Sequence, residues 1–258
     1  SYMDEVSSFY SKNQTPLMVK VPEFVKTDET AYAFIQNYMN RFEDAVFSAD
    51  HTIVLDGKRV SYTDIADFDS LVAYWLTSEI LVNEAGIKST YVHKEIGEKL
   101  TFGPIWDFDW NTLPVSSSYA EEGYSYTASM LAKAKPYHKR SGYPTAPIDD
   151  DDKNYVWYPM LVKDATFKGI AAERWNQVKN ALLSYVETIP AKAAAMKTSE
   201  ALNNAMWPVD AKSGWLGDRY SYFGIGGGYC GDEGYAYDKA VETLVATLKT
   251  RINGMSFV

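Results

Sequence analysis

Residues 102–111, FGPIWDFDWN, hold two carboxylates two positions apart, Asp107 and Asp109. In extended backbone, side chains at i and i+2 share a face. Both acids can therefore serve one site while Phe108 and the flanking Trp106 and Trp110 anchor the turn. Hard carboxylate oxygens on a rigid turn suit Mg²⁺ or Ca²⁺. The same spacing equally suits one Asp that caps the following turn with both acids solvated. Spacing by itself leaves both readings open.

Upstream, Asn83-Glu84 is followed by Ser89, five residues after the glutamate, and a β-hairpin then leads to Asp107-Phe108-Asp109. Protein kinases order their parts similarly: a catalytic Asp, an Asn five residues on, a hairpin, then Asp-Phe-Gly whose Asp holds Mg²⁺. The letters HRD and the Asn are absent from this chain. Other clusters carry less. His51, His93 and His138 make no HxxxH or HExxH pattern, which argues against a zincin-like site. Residues 224–234, GIGGGYCGDEG, lack the GK[ST] ending of a phosphate loop and read as an aromatic, Gly-rich loop. The acidic run 149–152 reads as a solvated loop rather than a Ca²⁺ site. The single cysteine, Cys230, has no disulfide partner, and no His or Lys beside it to activate it. His93 reads as a packed or rim residue of the hairpin, and Lys94 as a solvated charge.

These residues need elements to hold them. Thr27 or Asp28 caps a helix to about Ser48, with apolar positions Tyr32, Ile35, Tyr38, Met39, Phe42 and Val46. Residues 16–25 read as extended. Ile53-Val54-Leu55, the turn Asp56-Gly57 and a return through Val60 suggest a small hairpin. A second helix starts at Asp69-Ser70 and ends near Asn83, with Gly86 as a natural left-handed cap. Residues 89–94 and 99–106 form the strands of the central hairpin, turning at Ile96-Gly97-Glu98. Residues 112–156 read as a long, partly helical insertion. Phe167 to Tyr185 is a helix with apolar positions Phe167, Ile170, Trp175, Val178 and Leu182. A helix through AKAAAMK that Pro190 either breaks or starts, a short one within 199–208 and a closing one from Tyr237 to Asn253 complete the order.

A chain of 258 residues with 46% apolar residues builds a sizeable core. A net charge of −9 disfavours broad phosphate-backbone contact, so no nucleic-acid partner is expected. No apolar run reaches membrane-spanning length, so no membrane span is expected. Aromatics are abundant, at 15% with 20 Tyr and 7 Trp. Trp207, Trp215, Tyr220, Tyr222 and Phe223 would serve a non-catalytic extracellular surface or carbohydrate-binding module, with a glycan as partner; core packing is the plainer use of such rings.

One resemblance ties the pieces together. Residues 88–110, KSTYVHKEIGEKLTFGPIWDFDW, resemble the spore coat protein H (CotH) kinase-like family, whose pattern S-T-Y-x-Y-K, a short turn, then F-G-P-x-W-D-F-D is nearly complete. His93 stands where that family usually has an aromatic. VKVPE at 19–23, DFDSLVAYWLTSEILVN at 67–83 and DATFKGIAAERWNQVK at 164–179 are similar to flanking family segments. The resemblance implies an α+β, mostly helical fold. That fold is the large lobe of an atypical protein kinase, a single domain over 1–258 with 112–156 inserted. It implies ATP and Mg²⁺ as cofactors, and phosphotransfer to Ser/Thr of a secreted or surface protein substrate at an extracellular or cell-surface location. Carried over, Asp107 is the metal-binding Asp and Asp109 a further ligand. Asn83 and Glu84 fall at the catalytic position, and Ser89 falls to cofactor binding. Glu in place of Asp lengthens the arm of the base by one methylene. Family members begin with a small lobe carrying a phosphate-binding Lys, whereas 18 residues precede VKVPE. The chain is accordingly expected to be the second lobe, binding nucleotide weakly and transferring phosphate negligibly by itself.

Overall fold

A computed structural model of the chain describes residues 7–13, 15–81, 90–106, 108, 157–207 and 237–255. These are mostly helical, with three two-stranded antiparallel sheets among them, an α+β arrangement. They divide into two compact units. The first takes residues up to 71, 92–103 and 157–167; the second takes 72–81, 90–91, 104–108 without 107, 168–207 and 237–255.

The first unit opens with strands β1 (Ser8–Tyr10) and β2 (Pro16–Met18), paired antiparallel with Phe9 opposite Leu17. Only the Pro16–Met18 part of the segment expected to be extended is strand; Glu23–Lys26 is a 3₁₀ turn that buries Val25. Helix α1 (Glu29–Phe47) begins where its cap requires: Asp28 Oδ1 accepts from the Thr30 and Ala31 amides, each at 3.0 Å. Strands β3 (Thr52–Leu55) and β4 (Lys58–Ser61) form the expected hairpin, turning through Asp56 and Gly57, both at positive φ. A short helix α2 (Tyr62–Ile65) follows with a complete Ser61/Asp64 capping box.

Helix α3 (Phe68–Leu81) carries on from there, and Asp67 Oδ1 accepts from the Ser70 amide at 2.7 Å. The central hairpin is shorter than its sequence pattern, with β5 (Val92–His93) facing β6 (Thr101–Phe102). Two competing causes shorten it. Leu100 bonds instead to the chain beside Ala66, its amide donating to Ile65 O at 3.0 Å while Leu100 O accepts from Asp67 N at 2.8 Å. After Phe102, Gly103 turns the backbone at φ 126° and Pro104 offers no amide to a ladder.

Aromatic rings make the core of this unit. Phe42, Phe102 and Trp157, the last on helix α4 (Trp157–Leu161), meet pairwise at 5.4–5.8 Å between centroids. Trp157 meets both phenylalanines edge-on while they tilt against each other, and such contacts add to the burial of the rings. Trp157 Nε1 also donates to Glu43 Oε1 at 2.8 Å, which lets α1 carry a carboxylate at a fully buried position.

In the second unit, helix α5 (Ala165–Val186) keeps its inner face with Ala171 and Trp175, whereas Val178 is exposed rather than apolar core. Helix α6 (Ile189–Met206) is one continuous helix where a break near 199 was expected. Pro190 sits in its first turn, where no amide is needed, so it starts the helix without interrupting it. Helix α7 (Tyr237–Gly254) packs on α6, with Tyr237 Oη donating to Ala193 O at 3.0 Å. The expected insertion at 112–156 and the loop within 213–235 lie outside the described residues.

Candidate functional site

In the first unit several independent contacts fix the central hairpin. The Phe102 amide donates to Ser70 Oγ at 3.0 Å, and Lys99 Nζ donates to Thr63 O at 2.7 Å. Tyr38 Oη donates to Ile65 O at 2.7 Å, bringing α1 against the same corner, and burial raises the Tyr38 phenol above its ordinary value. Lys94 is not merely solvated: its ammonium lies 4.9 Å from the Tyr38 ring centroid and 5.9 Å from that of Phe34. His93 is exposed, with Nδ1 3.4 Å from Gly103 O, and is a rim residue. Gly103, the glycine of F-G-P, occupies a backbone region that L side chains rarely adopt, and beyond its chain neighbours no atom lies within 4 Å of where its Cβ would be. Its identity is set by backbone direction rather than by space.

In the second unit one side chain gathers the motifs. Tyr74 of α3 is buried at 3% exposure. Its phenol shares a hydrogen bond with Thr90, the neighbour of Ser89, and burial raises its pKa despite that bond. Its ring also meets Phe108, the residue between the two aspartates, edge-on at 6.2 Å. Trp106 lies 5.5 Å from the Tyr91 ring yet is half exposed, so it anchors the turn less firmly than Phe108 does.

Asn83, Glu84, Ser89, Asp107 and Asp109 all lie outside the described residues, as do Cys230, the 149–152 run and Trp215. What the structure brings together is their immediate neighbours Thr90 and Phe108, through Tyr74. Sequence reasoning missed Tyr74 as an organiser, because it reads as one more aromatic in an apolar helix. Its partners Thr90 and Phe108 lie 16 and 34 residues further along the chain and give no local signal.

A shallow groove of about 350 Å³ in the first unit is lined by Asp67, His93, Glu95, Glu98, Lys99 and Thr101. Two of the six are committed elsewhere, Asp67 to its helix cap and Lys99 to Thr63 O. Among the described residues no cluster of three or more His, Cys, Asp or Glu could hold a metal, and no helix is long and apolar enough to cross a membrane. No protein-family model, curated protein or solved structure matches the chain.

Proposed function

We propose that this chain carries the large-lobe portion of a CotH-like atypical kinase domain, which in the intact parent transfers phosphate from Mg²⁺-ATP to Ser/Thr of secreted or surface proteins. The observation that supports this most is the meeting of Thr90 and Phe108 on Tyr74. It joins the chain neighbour of Ser89 to the residue between Asp107 and Asp109, segments that the kinase-like order of parts assigns to a phosphotransfer centre. Asp107 and Asp109 supply hard carboxylate oxygens, the donor type that Mg²⁺ takes, and such a metal offsets the charge on transferring phosphate oxygens. Glu84 would accept the proton of the incoming hydroxyl, with Asn83 and Ser89 orienting the groups around it.

Titration calorimetry with ATP, with and without Mg²⁺, tests this directly. The expected result is Mg²⁺-dependent binding that Asp107→Asn weakens at least about tenfold, roughly 1.4 kcal/mol. Equal binding by wild type and Asp107→Asn would remove the basis of the proposal.

The exposure of Trp207, at 66%, favours one second reading, a glycan-facing surface module. Glycan-array binding abolished by Trp207→Ala, in a chain that shows no Mg²⁺-dependent ATP binding, would select that reading instead.

A further inference from the structure

One face of α1 carries unpaired cations in a chain that is acidic overall. Phe34, Tyr38 and Arg41 recur at four and three along the helix, so they share its outer side, while Met39, Phe42 and Val46 are buried on the inner one. Phe34 is 57% exposed, and Arg41 is exposed as well. The Phe34 and Tyr38 rings lie 6.0 Å apart, tilted at 38°. Lys94 reaches this stripe from the central hairpin, with its ammonium over both rings. Its neighbours His93 and Glu95 line the groove beside Asp67 instead, as residues at i and i+2 do when the one between points the other way. All of these residues belong to the first unit.

Among the described residues neither cation meets a carboxylate. The Arg41 guanidinium makes no hydrogen bond or ion pair. The acids next to it along the helix are engaged, Glu43 by Trp157 and Asp44 by Lys12. Lys94 Nζ donates once, to Glu95 O at 3.0 Å, which leaves donors of the ammonium open. Burial raises the Tyr38 phenol and the Arg41 charge works against the rise, so the guanidinium's field reaches the ring pair. An unpartnered guanidinium fork suits a carboxylate, which it engages through two parallel hydrogen bonds. The exposed Phe34 ring beside it suits an apolar side chain. A stacked sugar would need an open ring face, and Lys94 already lies over both rings. With a net charge of −9 the chain repels acidic partners in general, so unpaired cations define where one can land.

We propose that this face of α1, together with Lys94, is a docking surface for an acidic polypeptide segment that carries apolar side chains. Phe34 takes an apolar side chain, and Arg41 and Lys94 take carboxylates. The surface stands independently of the phosphotransfer reading, since none of its residues belongs to that site. Fluorescence anisotropy of the full chain with a labelled peptide of alternating Glu and Phe tests it, with the Gln/Phe and Glu/Ser peptides as comparisons. The Glu/Phe peptide is expected to bind at least about tenfold more tightly than either, and less tightly as salt is added. Arg41→Gln/Lys94→Gln is expected to weaken that binding at least about tenfold. Lys168→Gln/Lys179→Gln, on α5, changes the net charge equally and is expected to leave it unaltered. Phe34→Ser is expected to weaken the Glu/Phe peptide at least about threefold and to spare the Glu/Ser peptide. Because the Phe34 ring is exposed, this variant keeps the core intact and carries the test should the double substitution disturb the hairpin. Equal losses in the two double variants would assign binding to net charge and overturn the surface. So would the absence of any preference for the Glu/Phe peptide. Tighter binding of an oligouronate than of the Glu/Phe peptide, lost in Arg41→Gln/Lys94→Gln, would overturn the polypeptide partner.

Discussion

Gly103 shows how a single residue type is dictated by backbone alone. At φ 126° it stands where an L side chain is strained, although nothing within 4 Å would obstruct a Cβ. Gly103→Ala is therefore expected to cost roughly 1–3 kcal/mol of stability, the usual cost of a forced backbone region. A denaturant melt would read this as a lower midpoint at unchanged slope. The control is Gly169→Ala, because Gly169 lies inside α5 with open space around it and no positive φ. That change should be neutral or stabilising, by up to about 1 kcal/mol. If both variants behaved alike, backbone strain would not explain the glycine of F-G-P.

At the scale of elements, what was legible in the sequence is what local signals determine. Asp28 caps α1, and the apolar spacing from Tyr32 to Val46 gives that helix its extent and inner face. Asp56-Gly57 specifies the turn between β3 and β4. Elements fixed by distant partners were not legible. Strand β1 is three residues long and exists through its pairing with β2. The ends of β5 and β6 are set by Leu100 bonding to the chain beside Ala66 and by the turn at Gly103. Likewise the acids of the candidate site stood out by letter and spacing, whereas Tyr74 depends on contacts with residues distant in sequence. The burial of Glu43 is the sharpest case, since its partner Trp157 is 114 residues away. From that pair follows a prediction. Trp157→Phe keeps an aromatic ring between Phe42 and Phe102 but removes the donor 2.8 Å from Glu43 Oε1. The remaining contact, from Asn13 Nδ2 to Oε2, is long at 3.5 Å. A buried carboxylate that loses its principal donor should cost roughly 2–3 kcal/mol. Adding Glu43→Gln should recover part of this, because a neutral amide is cheaper to bury than a carboxylate. A double-mutant cycle with no coupling between the two positions would contradict the account.

For the whole molecule, the response of stability to alkaline pH isolates one interaction from a background of general charge. The chain carries a net charge of −9 near neutrality and 20 tyrosines, so rising pH adds negative charge everywhere and weakens the folded state by repulsion. Tyr62 adds a specific contribution. It is 1% exposed, and its hydroxyl donates to Asp164 Oδ2 at 2.5 Å. Burial first, then the hydrogen bond and charge of Asp164, raises its phenol well above the ordinary 10.0. In the unfolded chain the same phenol ionises near 10. Its contribution is therefore fully present below about pH 10 and is lost progressively as pH rises beyond that value, because the unfolded state releases its proton first. While only the unfolded form is ionised, the loss is about 1.4 kcal/mol per pH unit. Tyr62→Phe has no proton to release. It should be less stable than wild type at about pH 8 by roughly 1–2 kcal/mol, since Asp164 loses a buried donor. Above about pH 10 its stability should fall less steeply, so that the two curves converge toward about pH 11. Denaturation midpoints measured across that range read the difference directly, and general repulsion cancels because both chains carry it. Parallel curves would show that Tyr62 titrates alike in folded and unfolded chains, and that its bond to Asp164 is not felt at the level of the whole protein.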